Sequence, residues 1–132
     1  MPDINFAAVG VVTVVCFVLS TFYYIALDRQ RNELLALPPT TPGERPPSWM
    51  VVAELFRTLV VATVVAGLID RLGADGVADA LVLGLVLWVA FPAVLLSGAV
   101  IWDKVPPRLA AIHAGDWLVK LLVISAVVGA WR

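Results

Sequence analysis

Four long apolar runs, split by one long linker and two short turns, set the narrowest limits on how this chain folds. A helix needs about 20 residues to cross a hydrocarbon core of about 30 Å. The runs cover roughly residues 4–27, 49–69, 80–102 and 109–131, and each is long enough. Hydrophobic residues make up 61% of the chain and charged residues 14%, against about 45–50% and about 25% in soluble domains. The expected fold is all-α, an integral membrane four-helix bundle running up-down-up-down. Residues 1–132 form one four-span domain on this reading. Met1 to Asn5 has no Lys or Arg, so the first run reads as a true span and not a signal peptide.

The net charge of −1 offers no basic field for nucleic acid. Cys16 is the single cysteine, which excludes an intramolecular disulfide and a cysteine-based zinc site. The partners expected are the lipid bilayer and either further copies of the chain or a larger membrane complex.

The linkers differ in kind. In the long linker, 28–48, the first half, DRQRNELLAL, is expected to extend the first span as helix, whereas PPTTPGERPP is expected as extended, polyproline-like chain. The short turns at 70–79 and 103–108 make spans two, three and four antiparallel neighbours. Pro92 is placed to kink span three, and Gly84 and Gly98 to allow close helix approach. The pairs Ala62/Ala66, Ala93/Ser97 and Ala126/Ala130 offer tight packing as well. Arg29, Arg31, Arg45, Lys104 and Arg108 flank one side of the spans, against Arg71 and Arg132 on the other. The positive-inside rule then puts linkers 28–48 and 103–108 in the cytoplasm and both termini outside the cell membrane.

Charge inside the spans carries the functional information. Only twelve residues separate Arg57 from Asp70, too few to cross, so Glu54 and Arg57 lie within span two. His113, Asp116 and Lys120 lie within span four. Both spans start from the same side. Glu54 and Arg57 fall about 8 and 12 Å beyond Trp49, and His113, Asp116 and Lys120 about 6, 11 and 17 Å beyond Leu109. Spacings of three and four residues put each set on one helical stripe. Span one adds Thr13, Cys16, Ser20, Tyr23 and Tyr24, and span three adds Ser97.

Charge in hydrocarbon is costly, so these groups pair, line water or serve function. A structural lock would pair Arg57 with Asp116, and Glu54 with Lys120 or His113. A wet cavity would use Glu54 and Asp116 as exchangeable carboxylates and His113 as proton carrier. Tyr23, Tyr24 and Ser20 would then supply hydrogen bonds. Glu54, His113 and Asp116 are a poor metal set, because a di-metal bundle needs two Glu-x-x-His pairs and the chain has one histidine. Haem lacks a second axial ligand. A triad of His113, Asp116 and Ser20 or Ser97 has no nucleophile elbow beside it. No metal, cofactor or catalytic residue is expected. Cys16 reads as an apolar filler, Trp88 as packing, and Trp49, Trp102 and Trp131 as interfacial anchors.

INFAAVGVVTVVCFVLSTFYYIAL, LGLVLWVAFPAVLLSGAVIWDK and IHAGDWLVKLLVISAVVGAW together resemble the small four-helix family of bacterial and fungal membrane proteins called domain of unknown function 1761. In that family a Trp-Tyr pair is more typical at Tyr23-Tyr24, and Asn and Tyr are more typical at His113 and Asp116. The resemblance implies a four-span fold and no activity. Small multidrug transporters resemble the chain less, because their acid lies in the first span and this first span has none.

Three functions remain open at this level. The first is binding or passing a proton, ion or small solute. The second is a non-catalytic accessory or scaffold subunit. The third is a membrane enzyme acting on lipid or quinone.

Overall fold

A computed structural model describes residues 4–27, 30, 33–34, 47–74 and 76–131. It contains four long helices and, among the described residues, no strand. They are α1 (Phe6–Ala26), α2 (Ser48–Leu72), α3 (Gly76–Trp102) and α4 (Pro107–Ala130). All four are long and apolar enough to cross a membrane. Their outward faces carry Phe22, Phe56, Val82, Phe91 and Leu95, each more than half exposed. Such a surface is stable against lipid and not against water. The chain is an all-α four-helix bundle and a multi-pass membrane protein.

Local chemistry sets the helix ends. Asn5 caps α1 by accepting from the Ala8 amide at 3.2 Å. Its Nδ2 also donates to the Trp131 carbonyl at 3.2 Å, tying the start of α1 to the end of α4. Gly73 ends α2 in the left-handed conformation, φ 63°, which glycine adopts without steric cost. Pro107 sits in the first turn of α4, where its missing N–H costs nothing. Pro92 cannot donate an amide hydrogen bond, and α3 passes it through a π-helical turn, Val89–Ala93. Residues 30 and 33–34 of the first linker are helical; the Pro-rich stretch 38–46 lies outside the described residues.

α4 is the spine of the bundle. It packs most extensively on α3, and also on α1, which in turn packs on α2. Val9, Val12, Ala62, Ile69 and Ile124 form the fully buried centre between α1, α2 and α4. α2 and α3 touch only slightly despite the short turn between them. Of the antiparallel neighbours expected from the short turns, spans three and four pack closely, while spans two and three meet at few points because α4 takes the inner face of α3 and α1 takes that of α2.

Glycine explains the tight α3–α4 pair. A Cβ on Gly84 would lie 3.0 Å from the Leu121 carbonyl oxygen, and one on Gly129 would lie 2.5 Å from the Ala80 Cβ. Gly98 differs from its expected role, since a Cβ there meets nothing within 4 Å. Ala62 and Ala66 are buried, whereas Ser97 and Ala130 are exposed. Gly84→Leu should therefore destabilise the bundle by about 1–3 kcal/mol through overpacking. Gly98→Leu should stay within about 0.5 kcal/mol of the parent. Unfolding in detergent micelles, followed by tryptophan fluorescence, compares the two; equal losses would contradict the packing described.

Candidate functional site

The ionisable residues of α2 and α4 meet in one connected network. Lys120 starts one turn deeper than Asp116, and its side chain points back along α4, as helical side chains do. Its ammonium lies 3.1 Å from Asp116 Oδ2 and 2.7 Å from Glu54 Oε1. The indole of Trp117 stands below it, with the centroid 4.6 Å away. Glu54 Oε2 accepts from Arg57 Nη1 at 2.7 Å. Two acids and two bases thus cancel.

α1 closes the network from the other side. Ser20 donates to Asp116 Oδ1 at 2.6 Å. The Tyr24 hydroxyl lies 2.8 Å from His113 Nδ1 and 3.5 Å from Asp116 Oδ2. A hydroxyl has one proton, so both contacts are hydrogen bonds only if His113 Nδ1–H donates to Tyr24 and Tyr24 donates to Asp116. Tyr23 donates to the Ile112 carbonyl at 2.7 Å. Gly115 makes room for it, since a Cβ there would collide with the Tyr23 hydroxyl. Cys16 is fully buried, with its sulfur 3.9 Å from the Lys120 carbonyl.

Burial divides the network in two. The side chains of Asp116 and Lys120 are 5% and 4% exposed, whereas those of Glu54 and Arg57 are 28% and 60% exposed. The exposed half faces a groove of 1190 Å³ that all four helices line. Glu54, Arg57, His113 and Trp117 lie along its polar part. The rest is apolar, lined by Val60, Val61, Val64 and Leu68 of α2 and by Leu87, Phe91 and Leu95 of α3.

The candidates named from the sequence are thereby placed. Glu54, Arg57, His113, Asp116, Lys120, Tyr24 and Ser20 join one network, and Tyr23 braces α4 beside it. The expected pairing needs correction. Arg57 bonds to Glu54 and not to Asp116, because Lys120 reaches back to fill the space between the two carboxylates. Ser97 is also off the site: it is exposed and bonds to the Val94 carbonyl of its own helix. α3 contributes Trp88 instead, whose indole N–H donates to the Ala114 carbonyl at 2.8 Å. Ser20 gives its proton directly to Asp116, so it is not the nucleophile of a serine–histidine pair. Trp117 joins the site through its ring contact with Lys120, and its position three residues before Lys120 on the charged stripe is the sequence signal for it.

The donor set is that of an ion-pair network. Among the described residues no group of three or more His, Cys, Asp and Glu could hold a metal ion. The Lys120 ammonium already stands where a cation would bridge the carboxylates.

The fold and this network define a four-helix membrane protein with an internally neutralised polar layer. The family model described as "Protein of unknown function (DUF1761)" matches residues 7–129, and the chain belongs to that family. No curated protein and no solved structure matches it.

Removing one partner of a buried pair strands the other, at a cost of about 3–5 kcal/mol. Lys120→Met should lose stability on that scale. Arg57→Gln, breaking a more exposed pair, should lose about 1 kcal/mol or less. Chemical denaturation in mixed micelles measures both; a larger loss for Arg57 would reverse the assignment of the buried half.

Proposed function

We propose that the protein binds a small molecule at the groove end of its polar network, and that the buried half of the network locks α4 to α1 and α2. The differential exposure of the network carries this reading. Asp116 and Lys120 reach the groove wall but are almost wholly covered by Ser20, Tyr24 and Trp117, while Glu54 and Arg57 stand open to its volume. A charge kept half open inside a membrane protein is a functional-site hypothesis by default.

Binding is favoured over passage. Beyond Lys120 the centre of the bundle is closed by Val65, Ile69, Ile124 and Val128, none more than 4% exposed. Among the described residues, the buried hydroxyls at or beyond that depth do not extend the network: Thr13 donates to the Val9 carbonyl of its own helix, and Ser125 Oγ makes no hydrogen bond. A proton or ion reaching Glu54 would meet hydrocarbon ahead. The scaffold reading is absorbed in part, since complete pairing of Asp116 and Lys120 is what a lock requires. We assign no catalytic residue.

Lysine and arginine placement supports an orientation with the linkers, and with them the polar layer, on the cytoplasmic side of the cell membrane. Thiol labelling tests sidedness and closure together. In a Cys16→Ala background in proteoliposomes, Arg57→Cys should react with a membrane-impermeant methanethiosulfonate from the linker side alone. Ile69→Cys and Ile124→Cys should stay unreactive from both sides. Proton flux should equal that of protein-free vesicles, in the parent and in Glu54→Gln and Asp116→Asn alike. Labelling of Arg57→Cys from both sides, or a flux that these substitutions abolish, would replace binding with passage.

A further inference from the structure

We propose that the groove takes a single-chain amphiphile with a carboxylate head, a molecule of fatty-acid type, entering sideways from the bilayer between α2 and α3. This rests on the binding reading above and names its ligand class.

The shape argues for a chain. The groove follows α2 from Met50 to Leu68, about 27 Å at the helical rise. Its 1190 Å³ exceeds the about 300–1,000 Å³ usual for small-molecule pockets. From Arg57 to Leu68 the α2 wall is apolar for about 17 Å, through Val60, Val61, Val64 and Val65. α3 adds Leu87, Phe91 and Leu95, which lie level with α2 from about Glu54 to Ala62. Val64, Phe91 and Leu95 are 55%, 58% and 70% exposed at the mouth. α2 and α3 scarcely touch, so the mouth faces the lipid between them.

The polar end argues for an acceptor head. All four carboxylate oxygens of Glu54 and Asp116 already accept a hydrogen bond. Lys120 is buried and committed to both acids. What the groove offers is donors: Arg57 uses Nη1 toward Glu54, and the rest of its fork stands in the open volume. A guanidinium fork matches a carboxylate in shape and charge. Trp117 lies 5.8 Å below the guanidinium and keeps it over the groove.

Depth argues for a small head and one chain. Arg57 lies about 12 Å below Trp49 along α2. A carboxylate can be drawn to that depth as one small polar group, whereas a phospholipid would bring its phosphate and glycerol too. A second copy of the chain fits less well. Its α1 has no charged residue, and its α3 has Asp79 near one end only, so neither lipid-facing helix brings an acid to Arg57.

The test is quenching of tryptophan fluorescence by dibromostearic acid, with the full chain in nanodiscs. The expected result is saturable quenching that falls sharply in Trp117→Phe. Affinity should drop about tenfold or more in Arg57→Gln, the scale of one charge-assisted hydrogen bond. Narrowing the mouth with Val64→Phe and Leu87→Phe together should abolish it while Arg57 remains intact. If dibromo-octadecanol quenches equally and Arg57→Gln is indifferent, the carboxylate class is wrong and the binding reading stands. If brominated phosphatidylcholine displaces the acid at equal mole fraction, the single-chain assignment is wrong. Cross-links between α2 and α3 of separate copies, with no saturable quenching, would give the groove to a second copy. Absence of saturable quenching by acid, alcohol and phospholipid without such cross-links would overturn the ligand class and the binding reading together.

Discussion

One ammonium group holds the polar layer together. Lys120 stands between Asp116 of its own helix and Glu54 of α2, at 3.1 and 2.7 Å. Each of these three groups alone would be expensive in hydrocarbon. Together they become tolerable, and the arrangement admits one register of α2 against α4. A slide of either helix by one turn would strand a charge. The lock also sets what faces outward: with Lys120 filling the interior, Arg57 is displaced to the groove, where among the described residues it pairs with the Glu54 carboxylate and lies over the Trp117 ring.

Small residues supply the opposite effect on the other side of α4. Gly84 and Gly129 draw α3 onto α4 so closely that α3 is committed to that contact. α1 takes the corresponding role for α2. The pairwise preferences leave α2 and α3 apart, although only a short turn connects them. The groove is thus a consequence of packing elsewhere, and the π-helical turn at Val89–Ala93 places Phe91 and Pro92 along its wall. On the proposed reading such a groove is reached from the linker side at its polar end and from the bilayer along its apolar length.

The fold was legible because the bilayer leaves few choices. Apolar runs of this length with satisfied backbones must be helices, and Gly73, Pro92 and Pro107 acted where their chemistry placed them. The stripes on α2 and α4 were equally legible, since Glu54, Arg57, His113, Asp116 and Lys120 repeat at three and four residues. Partner choice was not. Arg57 with Asp116 and Lys120 with Asp116 are equally allowed by depth, and the reach of Lys120 to a second carboxylate on α2, which spacing within one helix does not encode, decided between them. The groove was invisible for a different reason: residues such as Val64 and Leu95 are the same in type whether they meet bulk lipid or a bound chain. Ser97 misled because a hydroxyl in a helix satisfies itself on the preceding turn, here on the Val94 carbonyl.

The account stands on the bridge between α2 and α4. Magic-angle-spinning NMR of the chain in lipid bilayers can observe it, with nitrogen-15 at the Lys120 ammonium and carbon-13 at the carboxylates. The geometry requires dipolar coupling from that one nitrogen to both Glu54 and Asp116. Coupling to Asp116 alone, with Glu54 contacting only Arg57 or lipid, would separate the helices and remove the foundation of the lock and the groove alike.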